Sequence, residues 1–482
     1  MESIPNAATP GLSPGLRAAL ERALGASGVL TRPADLTAYE TDWTGQVRGM
    51  AAAVLRPSST AQVSAAVSLC AQAGVSTVAQ GGHTGLSGGG TPDASGTQVV
   101  LSLSRMRAVR AIDAIGDTMT VEAGVVLADA QRAAAEAGRL LPLSLASQGS
   151  CTIGGNLATN AGGTAVLRYG MARDLVLGLE VVLADGRIWD GLRSLRKDNT
   201  GYHLTGLFVG SEGTLGIITA ATLGLSPPTP WRATALVALP DVTSALSLLG
   251  RLREAAGGTL TAFELISRAA LEPVLATQAG ARDPFSHRHS WYGLVELADT
   301  KPTVETTLES ILDAALTDGI LLDAVPATTR DVRSQLWALR EGIPEGERRA
   351  GPSLKHDIAV PIPQIPDFVE STQIRLRAAL PGVRVAPFGH VGDGNLHYNL
   401  GAPRTIQPGD WAAAAPGLTA IVVDEVARRG GSISAEHGLG RTKRAGARAL
   451  KSPVEWSVMR ALKQSLDPLG ILNPGVLLPD ES

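Results

Sequence analysis

The stretch Gln80-Gly-Gly-His-Thr-Gly-Leu-Ser-Gly-Gly-Gly90 follows a predicted strand over residues 75–79 and is rich in glycine. Without side chains, backbone N–H groups can converge on an anionic group. The stretch does not fit the dinucleotide-binding fingerprint, since no helical pattern follows it and no acidic residue lies at the expected distance. It also contains no Gly-Lys-Ser/Thr, which disfavours a nucleotide-binding phosphate loop. Taken alone, the loop is typical of a phosphate cradle and equally of a tight structural turn.

Two further glycine-rich tracts follow the first one. One spans residues 148–170, and the other is Gly210-Ser-Glu-Gly-Thr-Leu-Gly-Ile-Ile218. Three such tracts before the proline cluster Ser226-Pro-Pro-Thr-Pro230 indicate a large cofactor bound by loops. The proline cluster itself is the best candidate for a domain boundary.

Composition excludes several classes of protein. The 482 residues exceed one ordinary core, and the 44% apolar and 18% charged residues are typical of a globular chain. A net charge of -3 gives no electrostatic footprint for nucleic acid. The two cysteines, Cys70 and Cys151, and the lack of a long apolar run predict a cytoplasmic protein, with binding at a membrane surface left open.

Periodicity predicts an α+β protein in three segments: helical residues 1–45, a cofactor domain over 46–227 and a substrate domain over 228–482. Ser13-Pro14 predicts the start of a helix with Leu16, Leu20 and Leu24 on one face. Residues 303–317 show a clear helical period. Another helix is predicted over residues 416–429, ending at a glycine pair.

Four residues near the C-terminus indicate chemistry. His390 and His397 lie in the stretch 387–397, and Glu436-His437 lies in Ser434-Ala-Glu-His-Gly-Leu-Gly440. Two imidazoles and a carboxylate suit a divalent metal such as zinc with one coordination position for substrate. The remaining imidazole, His437, suits a proton acceptor near neutral pH. The spacing of the two histidines requires a bend at Gly392-Asp-Gly394 if both are to face one ion.

These motifs together resemble a known family. Residues 80–90, 141–170 and 197–218 resemble the FAD-binding domain of the vanillyl-alcohol oxidase / p-cresol methylhydroxylase flavoproteins. The C-terminal motifs, with Asp467-Pro-Leu-Gly-Ile-Leu-Asn-Pro-Gly475, resemble its D-2-hydroxyacid dehydrogenase branch. That branch includes D-lactate dehydrogenases, D-2-hydroxyglutarate dehydrogenases and the glycolate oxidase D subunit. The resemblance implies a two-subdomain FAD-binding domain of the p-cresol methylhydroxylase type. An α+β substrate/cap domain and a short C-terminal helical segment that returns to the flavin would follow.

The resemblance implies FAD as cofactor and assigns residues to it. Those residues are Gly81, Gly82, His83, Thr84, Gly85, Leu86, Pro142, Ser147, Gly149, Thr152, Gly154, Gly155, Asn160, Gly162, Glu212, Gly213, Ile218 and Asn473. The family has a lysine directly after its Asn-Pro-Gly motif, whereas this sequence has Val476 at that position. For His83 two interpretations stay open: a hydrogen bond to backbone, or the covalent flavin attachment of some distant relatives.

For the chemistry of the active site, the resemblance implies oxidation of a D-2-hydroxy acid to the 2-oxo acid. His437 would be the base, and His390, His397 and Glu436 would hold the metal. Arg340, Lys355, Asn399 and His437 would bind substrate. At one substrate-contacting position the family has a threonine, and this sequence has Pro344. This difference puts 2-hydroxyglutarate in doubt as the substrate and leaves D-lactate, D-malate or a bulkier acid as alternatives.

The expected partners are an electron acceptor (an electron-transfer flavoprotein, a cytochrome or a quinone) and a second copy of the chain in a homodimer. Two alternatives stay open at this stage. One is an oxidase of the same family that uses oxygen, and the other is a flavoprotein subunit that is active only in a glycolate-oxidase-like complex.

Overall fold

The computed structural model describes residues 11–479. The chain divides into two compact units. Unit 1 comprises the described residues of Met1–Ala161, Met171–Pro227 and Glu436–Ser482, and unit 2 comprises Gly162–Gly170 and Pro228–Ala435. The C-terminal segment therefore groups with the first glycine tracts, and a short piece of the second tract groups with the later part of the chain.

The helices and strands have the following bounds. The strands are β1 (Val29–Leu30), β2 (Ala51–Leu55), β3 (Thr77–Gln80), β4 (Gln98–Ser102), β5 (Val109–Asp113), β6 (Thr118–Glu122), β7 (Val176–Val182), β8 (Ile188–Gly191), β9 (Ile217–Gly224), β10 (Trp231–Leu239), β11 (Leu260–Ser267), β12 (Trp291–Asp299), β13 (Asp323–Pro326), β14 (Ser353–Leu354), β15 (Asp357–Ala359), β16 (Arg384–His390) and β17 (Asn395–Gly401). The helices are α1 (Pro14–Leu24), α2 (Pro33–Leu36), α3 (Thr60–Gln72), α4 (Leu127–Glu136), α5 (Ile153–Ala158), α6 (Val166–Tyr169), α7 (Ala172–Leu175), α8 (Thr205–Phe208), α9 (Val242–Ala256), α10 (Arg268–Thr277), α11 (Val304–Thr317), α12 (Arg330–Glu341), α13 (Ile343–Arg349), α14 (Ile365–Ala379), α15 (Pro408–Arg428), α16 (Arg444–Ala447) and α17 (Pro453–Leu466). The prediction of an α+β protein is confirmed.

Unit 1 contains two sheets. The first has the order β1-β2-β4-β3, in which β2, β4 and β3 are parallel. The second is antiparallel, with the order β5-β6-β9-β7-β8. The first glycine loop leaves the end of β3, and a parallel bridge pairs Thr77 with Leu472 from the C-terminal segment. Both the loop and the C-terminal segment are thus attached to the same strand.

The predicted elements of unit 1 form for the expected local reasons. Ser13 caps α1 by accepting a hydrogen bond from Leu16 N, and Pro14 occupies its first turn. The three leucines of that helix are buried. Helix α3 starts after Ser59, whose side chain accepts from Gln62 N. The predicted helix at the N-terminus is confirmed from residue 14 onward, while residues 1–10 lie outside the described part of the chain.

Unit 2 is built on one large antiparallel sheet with the order β13-β10-β12-β11-β16-β17-β14, and β15 also pairs with β17. Helices α10, α12 and α13 contribute Leu271, Leu336 and Ile343 to a hydrophobic cluster with residues of β10, β11, β12 and β16. Helix α11 buries Val304, Leu308, Ile311, Leu312 and Ala315, which confirms the predicted helix over 303–317.

The bend expected between the two histidines is a hairpin. Strand β16 ends at His390, β17 begins at Asn395, and the two strands are antiparallel neighbours with Phe388 opposite His397. Gly394 has φ 89°, a conformation that favours glycine, and Asp393 accepts from Asn395 N at 3.1 Å. The turn therefore gives each histidine its own strand.

One helix start differs from the prediction. Helix α15 begins at Pro408, not near residue 416, and Pro416 lies inside it. A proline is favoured in the first turn of a helix, which made Pro416 a plausible start. Pro408 occupies that position instead, and the alanines over residues 412–415 extend the helix through the second proline. Within residues 11–479, no helix is both long and apolar enough to span a membrane.

Helix α11 provides a stability test with an internal control. The Leu312 side chain is 4% exposed, whereas Leu316, one turn later, is 37% exposed. Leu312→Ala should lower the free energy of unfolding by about 2–4 kcal/mol because it leaves a cavity, and Leu316→Ala by less than about 1 kcal/mol. Urea unfolding followed by circular dichroism measures both. Equal losses would contradict the burial of this helix face.

Candidate functional site

A cavity of about 1050 Å³, including the solvent at its mouth, lies among the glycine loops of unit 1. It brings together eleven of the residues predicted to bind the cofactor: Gly81, Gly82, His83, Thr84, Gly85, Thr152, Gly154, Gly155, Glu212, Gly213 and Ile218. His437, the predicted base, also lines it. The cavity further includes Asp42, Cys151 and Asn156, none of which is among the predicted cofactor residues.

The residues of this cavity fit a bound cofactor such as FAD. A Cβ on Gly82 would lie 2.2 Å from Ser150 O, and one on Gly81 would lie 2.5 Å from Thr152 Oγ1, so only glycine permits this packing. Two buried polar atoms of lining residues, Thr152 Oγ1 and Asn156 Nδ2, have no hydrogen-bond partner within the described chain. Buried polar groups normally have partners, so these two indicate a ligand in the cavity.

The remaining predicted cofactor residues lie outside the lining: Leu86, Pro142, Ser147, Gly149, Asn160, Gly162 and Asn473. Gly162 belongs to unit 2. Asn473 has a structural role in unit 1, since its Nδ2 donates to the carbonyls of Gly89 at 2.9 Å and Glu212 at 2.7 Å. It thereby joins the first glycine loop, the third glycine tract and the C-terminal segment.

His83 lies in the cavity wall with φ 55°. Its Nε2 is 2.6 Å from the carbonyl oxygen of Thr41. This contact is the backbone hydrogen bond of the first interpretation, and it requires the tautomer protonated at Nε2. Covalent attachment of the flavin stays a prediction. Release of all yellow colour from the protein on acid precipitation would rule it out.

Glu212 holds the loop that follows His437. Its carboxylate accepts from Leu439 N at 2.8 Å and from Gly440 N at 2.9 Å. Burial raises the pKa of the Glu212 carboxyl, although these two backbone donors and the Lys443 charge act in the opposite direction. The family resemblance implies a position for Glu212 near the adenine. The structure shows that Glu212 also fixes the glycine-rich segment carrying the predicted base.

In unit 2, a row of polar side chains crosses one face of the sheet. The register places Glu264 of β11 opposite His390 of β16, and Asp357 of β15 opposite His397 of β17. Residues directly opposite one another in a ladder lie on the same face. The ring centroids of His390 and His397 are 5.8 Å apart. The hairpin therefore brings the two predicted metal-binding histidines together.

Glu264, which was not predicted from the sequence, is fully buried and makes two contacts. One carboxylate oxygen lies 2.5 Å from His390 Nδ1, and the other accepts from Arg340 Nε at 2.6 Å. Burial alone would raise the pKa of the Glu264 carboxyl, but the Arg340 and His390 charges and hydrogen bonds lower it to about 2. Its only signal in the sequence is a charged residue inside an otherwise apolar strand.

Arg340 was expected from the resemblance to bind a substrate carboxylate. It is 7% exposed, and its guanidinium stacks 4.8 Å from the centroid of the Phe388 ring. The contact to Glu264 uses Nε. Bidentate binding of a carboxylate would use the two Nη nitrogens. Arg340 is thus a buried and paired cation.

Asn399 and Lys355, the other predicted substrate residues, lie near a second buried carboxyl group. Asn399 Nδ2 donates to Glu347 Oε2 at 2.7 Å, and Asn399 Oδ1 accepts from His356 N at 3.3 Å. Burial raises the pKa of Glu347 to about 7, while the Asn399 hydrogen bond and the Lys355 and Arg384 charges act against this shift. Lys355 itself is exposed. No pattern in the sequence singles out Glu347.

The donor set of unit 2 fits a divalent metal. The Glu264 contact fixes Nε2 as the atom by which His390 could coordinate an ion, an arrangement common around metal-binding histidines. Asp357 adds a carboxylate opposite His397 that was not predicted from the sequence. Glu436, the third ligand implied by the resemblance, belongs to unit 1. Imidazole and carboxylate donors suit zinc or a similar ion.

Comparison with known proteins gives consistent matches over most of the chain. Residues 51–191 match the family described as FAD binding domain, and residues 229–477 match FAD linked oxidases, C-terminal domain. A D-2-hydroxyglutarate dehydrogenase of Xanthomonas citri pv. viticola is 39% identical over 95% of this chain and 96% of its own length. A mitochondrial protein of the same name from Bos taurus is 38% identical over 96% of this chain and 83% of its length. The solved structure of p-cresol methylhydroxylase superposes with a TM-score of 0.74 at 19% identity, covering 96% of this chain and 97% of that one.

The close packing of the first glycine loop yields a test of cofactor binding. Gly82→Ala should lower the flavin content at least about tenfold, because the new methyl group would displace the Ser150 backbone. Gly15→Ala is the matched control, since a Cβ there meets no atom within 4 Å and Gly15 lies outside the cavity lining. The ratio of flavin to protein absorbance measures the content. Full flavin in folded Gly82→Ala would contradict this placement of the cofactor.

Glu347 yields a test of pH dependence. Its pKa is raised to about 7 in the folded chain, so the folded state holds a proton that the unfolded state loses near pH 4.5. Stability from this group is therefore present at low pH and is lost as pH rises toward 7. Between pH 5 and 8, the wild-type chain should lose about 3 kcal/mol relative to Glu347→Gln. Parallel pH profiles of urea unfolding for the two proteins would disprove the shift.

Proposed function

The chain belongs to the FAD-linked oxidase family, and on that premise we propose that it oxidises a D-2-hydroxy acid to the 2-oxo acid. The observation that carries the proposal is the position of His437 in the lining of the glycine-loop cavity of unit 1. A base beside a flavin site is what removal of a hydroxyl proton during alcohol oxidation requires. The name of the relatives, D-2-hydroxyglutarate dehydrogenase, supports the same reaction class.

Within this proposal, unit 1 holds the cofactor and the base. Bound FAD supplies the hydride acceptor for the substrate's C2–H. The backbone N–H groups of the loop at 81–90 would hold the pyrophosphate, because the glycines of this loop leave room for it. His437 takes the proton from the C2 hydroxyl as the carbonyl forms. Glu212 keeps the His437 loop in place through its contacts to Leu439 and Gly440.

Unit 2 supplies the groups that bind the substrate. Arg340, Lys355 and Asn399 provide a guanidinium, an ammonium and an amide for the carboxylate and hydroxyl oxygens. His390 and His397 would hold a divalent cation, for which we propose zinc, and the resemblance implies Glu436 as the third ligand. Such a cation supplies Lewis acidity at the substrate oxygens.

Two substrates should be tested first. D-2-hydroxyglutarate is named for relatives that cover nearly the whole chain. An acid with a single carboxylate, such as D-lactate, is favoured by two residues of unit 2. Pro344 offers no backbone N–H, and Glu347 places a buried acidic group against Asn399. D-Malate is the intermediate case.

The electron acceptor and assembly are part of the same proposal. We propose an electron-transfer flavoprotein, cytochrome or quinone as acceptor, a homodimer, and a cytoplasmic location. An oxygen-using oxidase would instead release hydrogen peroxide in air with substrate alone. A subunit dependent on other chains would show no turnover in isolation.

The reaction class is tested by anaerobic mixing of the purified chain with single enantiomers of 2-hydroxy acids. Bleaching of the visible flavin absorption by a D-acid, but not by its L-enantiomer, is the expected result. Removal of metal with a chelator should slow the bleaching, and added zinc should restore it. Equal rates before and after complete metal removal would refute the metal's role. No bleaching by any 2-hydroxy acid would refute the proposed reaction.

His437→Asn tests the base. The change should slow flavin reduction by about 10²–10⁴-fold while FAD stays bound, because the amide cannot accept the proton. His287→Asn is the control, since His287 is exposed in a loop of unit 2. Stopped-flow absorbance at the flavin band gives both rates. An unchanged rate in His437→Asn would remove His437 from the mechanism.

A further inference from the structure

We infer that Glu264 is a positioning residue that sets the geometry of the metal-binding His390 and of the substrate-binding Arg340 with one carboxylate. This inference rests on the proposed function for the roles of His390 and Arg340. Its own evidence is the geometry of unit 2, in which a single fully buried side chain contacts both residues through different oxygens.

The contact to His390 selects how that imidazole can bind a metal. With a carboxylate 2.5 Å from Nδ1, the neutral imidazole carries its proton at Nδ1 and leaves at Nε2 the lone pair that a cation needs. Outer carboxylates of this kind fix the tautomer and the ring orientation of metal-binding histidines. Glu264 lies directly opposite His390 in the β11–β16 ladder, so the backbone holds the pair in register.

The contact to Arg340 fixes a long and flexible side chain. Arg340 comes from the last turn of α12, and its guanidinium is held by Glu264 at Nε and by the Phe388 ring at its face. Phe388 in turn packs against His397, with ring centroids 5.0 Å apart. A guanidinium restrained in this way loses less freedom when it meets a carboxylate. One buried carboxylate therefore couples the substrate anchor to the histidine pair.

A neighbouring residue provides a matched control. Glu296 on β12 is also buried, at 3% exposure, and it accepts from Trp337 Nε1 of the same helix at 2.9 Å. Its other hydrogen-bond partners are Arg232 and Thr234, and none of its partners within residues 11–479 is a histidine. Loss of either glutamate removes a buried charge that ties α12 to the sheet. Of the two, Glu264 alone contacts a predicted metal-binding residue.

The experiment compares Glu264→Gln, Glu264→Asp and Glu296→Gln in the full chain. The amide introduced by Glu264→Gln would place a donor against Arg340 or His390, whereas the aspartate variant keeps the charge with a shorter reach. The first readout is the dissociation constant for Zn²⁺, measured by competition with a chromophoric chelator. The second is KM and kcat at saturating Zn²⁺ for the D-acid that bleaches the wild-type flavin. Melting temperature serves as the readout of stability alone.

We expect Glu264→Gln to weaken Zn²⁺ binding about 10–100-fold and to raise KM about tenfold with a smaller change in kcat. Glu264→Asp should recover part of both losses, and Glu296→Gln should change only the melting temperature. If Glu264→Gln and Glu296→Gln lower the melting temperature alike and leave Zn²⁺ affinity and KM unchanged, the inference is overturned and Glu264 is a structural ion-pair partner.

Failure of the proposed function gives a different pattern. A wild-type chain that binds no Zn²⁺ overturns both this inference and the proposed metal site, whatever its flavin does. A wild-type chain that binds Zn²⁺ but is not bleached by any D-acid refutes only the proposed reaction. In that case the Zn²⁺ affinities of the three variants still decide whether Glu264 positions His390.

Discussion

Close approach of backbone to backbone is the constraint on which unit 1 depends. A Cβ on Gly82 or on Gly440 would lie about 2 Å from a carbonyl oxygen, of Ser150 and of Ser87 respectively. Both glycines therefore bring distant segments of the chain into direct contact at the cavity wall. The loop after His437 is attached to the first glycine loop in this way, and Glu212 accepts two of its N–H groups. The proposed base and the proposed cofactor cavity are thus held together by the same contacts within unit 1.

Unit 2 buries charged side chains within its hydrophobic core. The face of its sheet that packs against α12 and α13 is mainly apolar, yet it includes Glu264 and His390, and Arg340 of α12 pairs with Glu264 there. An isolated charge there would be strongly unfavourable, and each of these groups is paired. Glu347 differs from these groups, since the effect of its burial outweighs that of its favourable contacts and raises its pKa. Such perturbed groups cluster at functional sites more often than elsewhere.

Much of the architecture could be predicted from local patterns. The capped helix at Ser13-Pro14 and the apolar face of α11 follow from capping and helical period. The helix start at Pro408 was missed because two prolines compete for one role, and the residues between them decide the outcome. Local signals fail where the chain offers two equally good starts.

The sequence by itself determined the chemical types available: glycine loops for an anionic cofactor, two histidines flanking a glycine turn, and an adjacent glutamate and histidine near the C-terminus. Motifs of this kind can be recognised because their residues are neighbours in the chain. Only the tertiary structure decided that Glu264 meets His390 and Arg340, and that Glu347 meets Asn399. These partners come from strands and helices far apart in sequence. Strand register and helix packing set such contacts, and single isolated glutamates carry no pattern from which register or packing can be inferred.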